Sequence, residues 1–164
     1  MNIFEDWDQF YMGLTFYVAM KSEDNSTHVG AVVVNQFNRA VSFGYNGLPT
    51  GVLNTPDKNI RPQKYFYFEH AERNAIYNSE SFEPGCRVYV NMFPCSDCSR
   101  AIIQKRITKI IYHPGFTEVN NEIWDENHKA SKEMLIEANV QITPYYGKIV
   151  STITALKSEK IFEL

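Results

Sequence analysis

His70-Ala71-Glu72 and Pro94-Cys95-Ser96-Asp97-Cys98 lie 22 residues apart, and used together they leave the chain few folds to choose from. One imidazole and two thiolates are strong zinc ligands, and three protein ligands leave the fourth tetrahedral position to water. A structural zinc would take a fourth Cys or His, so this set reads as a catalytic metal site. Glu72 then stands beside the metal as a carboxylate able to carry protons. The fold has to bring two separate segments to one point and keep that point open to a ligand.

Local patterning shows how. Residues 70–78 read as a helix, and residues 96–105 as a second one, capped by Ser96 or begun just after Pro94. Side chains two apart on a helix point in nearly opposite directions, so His70 and Glu72 reach one metal only if that helix meets it end-on. Cys95 and Cys98, three apart, share the first turn of the other helix. Two helix N-termini then converge on the zinc, where their positive dipole ends favour thiolates.

Elsewhere, residues 4–20 carry Phe4, Trp7, Phe10, Tyr11, Leu14 and Val18 at helical spacing. Residues 29–34 and 40–44 are β-rich runs joined through Asn35-Gln36-Phe37-Asn38-Arg39, a hairpin pattern. Residues 87–91, 109–112 and 140–144 read as strands, and residues 123–138 as a long helix. This order predicts an α/β domain with a mixed five-stranded sheet in a three-layer α/β/α arrangement.

At 164 residues, 44% hydrophobic and 21% charged, the chain is expected to form one domain with its own core, residues 145–164 being a C-terminal extension. No apolar stretch approaches a membrane span and residues 1–10 lack a signal-peptide pattern, so the expected location is cytoplasmic, with no membrane partner. The C-x-x-C leaves Cys86 alone, which is no disulfide framework; it reads as a small buried filler. Net charge is −3 and the 16 Lys and Arg are scattered, which speaks against a nucleic-acid partner. A lone C-x-x-C also fits a redox pair or half of a structural zinc site, but His70, Glu72 and Pro94 favour catalysis. His28, His113 and His128 read as surface or core residues.

The pattern H-x-E…P-C-x-x-C is the signature of zinc-dependent nucleobase deaminases. His70-Ala71-Glu72-Arg73-Asn74-Ala75-Ile76 and Phe93-Pro94-Cys95-Ser96-Asp97-Cys98 resemble the deoxycytidylate (dCMP) deaminases of the cytidine deaminase superfamily. Gly44-Tyr45-Asn46-Gly47-Leu48-Pro49-Thr50-Gly51 is similar to that family's G-Y-N-G-x-P-x-G loop. Ser22-Glu23-Asp24-Asn25-Ser26-Thr27-His28-Val29-Gly30-Ala31 resembles its approach to the first strand. The likeness runs from about residue 7 to residue 145.

The resemblance implies a cytidine-deaminase-like fold that hydrolyses dCMP to dUMP and ammonia, supplying thymidylate synthesis. It implies one Zn2+ per chain on His70, Cys95 and Cys98, with Glu72 as proton shuttle. The Ala71 N–H would hold the pyrimidine carbonyl. Asn46 would bond the sugar 3′-hydroxyl, its other reading being a plain turn residue. Phe116 would stack on the base or serve the core. Lys21 and Ser22, with Thr27 behind them, are candidates for the 5′-phosphate. Many such relatives are hexamers activated by dCTP and inhibited by dTTP. That implies an effector site on Gly44, Tyr45, Gly47, Leu48, Pro49 and Gly51, and on Lys64, Tyr65, Phe66, Tyr67 and Phe68. The last run reads equally as a buried, strand-like approach to the helix. Some relatives carry a second, structural zinc; here Val52 follows Gly51 and no His shortly precedes His70, so one zinc is expected. Still open are a bifunctional dCMP/dCTP deaminase, a free-nucleoside or tRNA deaminase, and a non-catalytic zinc-binding regulatory subunit.

Overall fold

Apolar side chains along the central strands point alternately to the two faces of the sheet, and that builds two cores. A computed structural model describes residues 4–116, 122–150, 154–157 and 160–163. Five strands, β1 (Gly30–Val34), β2 (Ala40–Tyr45), β3 (Arg87–Val90), β4 (Lys109–Tyr112) and β5 (Gln141–Pro144), form one sheet in the order β2-β1-β3-β4-β5. β1 is antiparallel to both β2 and β3, whereas β3, β4 and β5 run parallel. The parallel pairs need crossovers, and α4 (Ser96–Gln104) and α5 (Glu122–Glu137) supply them.

With side chains alternating across a strand, Ala31, Val33, Val88, Val90 and Ile110 face one side of the sheet. There they pack with Ala71, Ala75 and Ile76 of α3 (Ala71–Tyr77), Ile102 of α4 and Leu135 of α5. Val32, Val34, Tyr89 and Ile111 face the other side, against Tyr11 and Met12 of α1 (Trp7–Ala19). β1 and most of β3 and β4 are covered on both faces, which is why they read as continuous apolar runs. The expected three-layer α/β/α fold is the one observed.

Differences are local. Asp6, extended at φ −151° and accepting from Gln9 N at 2.7 Å, starts α1 at Trp7, later than the apolar spacing suggested. Residues 64–67 are not strand-like: Lys64–Tyr67 is one helical turn, α2, closed by Phe68 N donating to Lys64 O. The extension contains a hairpin the sequence reading had left out, β6 (Thr154–Lys157) antiparallel to β7 (Lys160–Glu163). Among the described residues no helix is long and apolar enough to cross a membrane.

Candidate active site

The edge of the sheet where the parallel strands end is also where β1 begins and β2 ends, so loops from all of them meet there. In parallel sheets this carboxyl edge is the usual place for a ligand. Asn91, buried just after β3, fixes the edge: its side chain accepts from Gly30 N at 3.0 Å and donates to His28 O at 3.0 Å. A cavity of about 490 Å³ opens there, of a size suited to a small organic molecule.

His70 is the N-cap of α3 and Cys95 the N-cap of α4, both with extended backbones. Ser96, expected as a possible cap, is instead the first residue of α4. Its N–H donates to Asn127 Oδ1 of α5 at 2.8 Å, and Asn127 Nδ2 donates back to Ser96 Oγ at 3.1 Å. Ser131 of α5 donates to Pro94 O at 2.8 Å. The turn carrying the first thiol is therefore held from outside, by α5.

His70 Nδ1 lies 3.4 Å from Cys95 Sγ and 3.5 Å from Cys98 Sγ, and the three ligand atoms all lie within 4.8 Å of one another. Tetrahedral zinc with ordinary bond lengths sets its N and S ligands about 3.5 Å apart. Two thiols and an imidazole at that spacing fit zinc. The three groups are strongly coupled: the Cys98 thiol hydrogen-bonds to Cys95 and, against burial, holds the Cys95 pKa down to about 4, with His70 adding to the effect, while Cys98 itself is pushed up. The Cys95 thiolate in turn raises His70.

Glu72, at the second position of α3, is 4% exposed and lines the cavity with His70, Ala71 and Cys95. Burial pushes its carboxyl up from the ordinary 4.5, toward the range in which a carboxyl can exchange a proton.

Asn46 sits on the same wall with every hydrogen-bonding position engaged. Its Oδ1 accepts from Ser22 Oγ at 2.6 Å and Val29 N at 2.8 Å. Its Nδ2 donates to Thr27 O at 2.8 Å and, more loosely, to Asp24 Oδ2 at 3.3 Å. Asp24 is a hub that sequence reasoning missed: it also accepts from Ser26 and Thr27 backbone N–H groups and pairs with Lys64 at 2.6 Å. The Asp-Asn-Ser-Thr turn pattern signals the local bonds, but nothing local announces a partner 40 residues away.

The remaining candidates divide. Thr27 lines the cavity; Lys21 and Ser22 do not, Lys21 being exposed beyond α1 and the Ser22 hydroxyl turned to Asn46. Lys64, Tyr65 and Phe68 line this same cavity, while Phe66 and Tyr67 face outward. Gly44 is packed away, since a Cβ there would lie 2.3 Å from Ala75 N and 2.5 Å from Ala71 O. Gly47 exchanges two backbone hydrogen bonds with Glu69, which ties the Gly44–Gly51 loop to the residue just before His70. The Phe116 side chain lies outside the described residues. Met92, Arg61 and His128 also line the cavity; His128, on α5, meets Phe93 edge-on at 5.5 Å.

Comparison with known proteins agrees with this geometry. A family model described as "Cytidine and deoxycytidylate deaminase zinc-binding region" matches residues 5–114. A deoxycytidylate deaminase of Mus musculus is 34% identical over 164 residues, covering 93% of this chain and 89% of the mouse protein. An uncharacterized deaminase from the luxG 3′ region of Aliivibrio fischeri is 39% identical over 137 residues, covering 84% of this chain and 92% of its own. In fold, the chain resembles the crystal structure of dCMP deaminase from the cyanophage S-TIM5 in complex with dCMP and dUMP. The TM-score is 0.68 at 24% identity, over 88% of this chain and all of that one.

Proposed function

The chain belongs to the cytidine and deoxycytidylate deaminase family of zinc-dependent hydrolases, and from that premise we propose that it converts dCMP to dUMP and ammonia. The observation that carries the reading is the buried Glu72 carboxyl beside a His70–Cys95–Cys98 triangle of zinc-binding dimensions, on the wall of a nucleotide-sized cavity.

When bound, one zinc per chain supplies a water acidified to a pKa of about 7 and so a nucleophile at neutral pH. The chain's own residues do the rest. Hydrolysis adds water across the N3=C4 bond of cytosine and then breaks the bond from C4 to the amino group, so one proton must reach N3 and another the departing amine. Glu72 takes each proton from the water and delivers it, first to N3 and then to the leaving nitrogen, as base and then acid. The Ala71 N–H, in the unpaired first turn of α3, donates to the pyrimidine carbonyl. The sugar 3′-hydroxyl accepts from Asn46 Nδ2 in exchange for its 3.3 Å bond to Asp24, the longest that Asn46 makes. Phe116 is proposed to stack on the base.

The finer reading adds a homohexamer activated by dCTP and inhibited by dTTP. The Gly47–Glu69 bridge supports it, because an effector held by residues 44–51 and 64–68 would act one residue from Asn46 on one side and from His70 on the other. Thiolate ligands and three unbridged cysteines fit a reducing compartment, in keeping with a cytoplasmic enzyme.

Ammonia release measured across dCMP, dCTP, deoxycytidine and cytosine-containing RNA tests the assignment, with dCMP expected to lead. Preference for dCTP favours the bifunctional enzyme; no turnover of any of them sinks the reading. Glu72→Gln is expected to retain zinc by metal analysis while losing about 10²–10⁴ in turnover. Wild-type rates in that variant remove Glu72 from the mechanism.

A further inference from the structure

Two features of α3 depart from the usual start of a helix. Its N-cap, His70, makes no side-chain capping bond, because the imidazole is turned to Cys95 and Cys98. Its third residue is Arg73, a cation where the helix dipole favours an acid and where a capping box places Glu or Gln. The N-cap amide that such an acid would hold is held instead by Glu69, from just outside the helix. Glu69 Oε1 accepts from His70 N at 2.9 Å and from the Arg73 guanidinium.

Arg73 does not stop at Glu69. Its other terminal nitrogen lies 3.5 Å from Oδ2 of Asp97, on the first turn of α4 between Cys95 and Cys98. Glu69 in turn exchanges two backbone hydrogen bonds with Gly47. One guanidinium thus joins the approach to His70, anchored on the Asn46 loop, to the turn that carries both thiols. The Arg73 and Glu69 side chains are each 21% exposed and form the sheltered end of this link; Asp97, at 52%, is its weaker end. The Arg73 charge is felt at the sulfurs too: burial works against it, but Cys98 and Glu69 outweigh burial and push its pKa up. Arg100 also pairs with Asp97, but from α4 itself, so it ties nothing to α3.

None of Glu69, Arg73 and Asp97 is among the described residues that line the cavity. They stand behind its wall and act through the ligands, not on a substrate. We propose that these three residues form a strap across the two ligand-bearing turns, and that Arg73 is the positioning residue that holds His70 at zinc-binding distance from Cys95 and Cys98. This rests on the zinc reading of that group. Ligands carried by two separate helices hold a metal firmly only while the helices keep their spacing, and the strap fixes that spacing without touching the metal.

Zinc-loaded wild type, Arg73→Gln, Arg73→Lys, Asp97→Asn and Arg100→Gln are titrated with a chelator, and the zinc left on each protein is measured. Arg73→Gln is expected to hold zinc about 10- to 100-fold more weakly, as loss of a partner that orients a metal ligand does. Arg73→Lys keeps the charge without the fork that spans two carboxylates, and is expected to fall between. Asp97→Asn is expected to lose less, and to add little when combined with Arg73→Gln, because the bond is by then already gone. Arg100→Gln is expected to match wild type. Cobalt-loaded Arg73→Gln is expected to show shifted absorption bands for the thiolate-bound tetrahedral metal, a change that lost stability alone does not produce.

Unchanged zinc retention in Arg73→Gln overturns the strap, as do additive losses in the double variant or an equal loss in Arg100→Gln. Weaker zinc with an unchanged cobalt spectrum overturns the positioning role. Where Arg73→Gln does not fold, Asp97→Asn against Arg100→Gln decides. Wild type that carries no zinc removes the metal reading itself; wild type and Arg73→Gln that carry it equally firmly remove the strap alone.

Discussion

Asp24 and Lys64 are 4% and 5% exposed, and neither charge is tolerable there without the other. Burial alone would raise the Asp24 pKa, but the hydrogen bond from Lys64 and those from Ser26 outweigh it and hold the group below the ordinary 3.8. A carboxyl depressed in the folded state stabilises the fold above its unfolded pKa, and that contribution disappears as pH falls through the lower folded value. Asp24→Asn is therefore expected to be less stable than wild type at pH 7 by about 3–5 kcal/mol, the cost of stranding a buried charge. The gap should narrow as pH drops below 3.8 and the wild-type carboxyl is itself protonated. Denaturant unfolding of both proteins from pH 7 downward checks this, and a gap that does not depend on pH refutes the pairing. Residue chemistry of this kind was only half legible: Asp24 appeared within the stretch leading to the first strand and Lys64 as a cation in an aromatic run, with no sign that they meet.

Elements place the ligands more firmly than the ligands' own turns do. Cys95 caps α4 without any side-chain capping bond, and the first α4 amide is satisfied by Asn127, a residue of α5. Asn127→Ala removes that bond and frees the turn that carries the thiols. It is expected to cost about 1 kcal/mol of stability, as loss of a cap does. It is also expected to weaken zinc about ten-fold, the effect of losing a partner that orients a metal ligand. Competition with a chelator, followed by metal analysis, measures the second quantity; unchanged zinc retention shows that α5 does not hold the site. The α3 side has its own constraint at Gly44, where β2 touches the helix backbone so closely that no side chain fits. That contact explains the glycine without an effector.

At the scale of the whole molecule, one stretch of chain holds several of the large apolar side chains that the two cores leave exposed. Leu53 (76% exposed), Ile60 (60%), Tyr65 (49%) and Phe66 (82%) all fall between the Asn46 loop and the His70 helix. We propose that this exposed apolar surface is an association face, and that its place beside the residues proposed for the effector couples assembly to regulation. Phe66→Asp is expected to shift the protein to smaller species in sedimentation and to abolish the dCTP response. An unchanged assembly with normal dCTP activation would show that this face is not the contact.

The sequence by itself picked out the His70–Cys95–Cys98 group, Glu72 beside it, the layer order, the five strands of the main sheet and the four longer helices. These depend on short-range facts: ligand spacing, a period of two or 3.6, and turn residues between them. Even the end-on approach of α3 to the His70–Cys95–Cys98 group followed from His70 and Glu72 being two apart. Tertiary structure alone decided which polar groups share the cavity, because Asp24 meets Asn46 and Lys64 across 22 and 40 residues of chain. It likewise placed Lys64, an effector candidate, among the buried residues of the cavity wall, and left Lys21 and Ser22 off that wall. A charged side chain's role depends on what surrounds it after folding, and no local pattern encodes that environment.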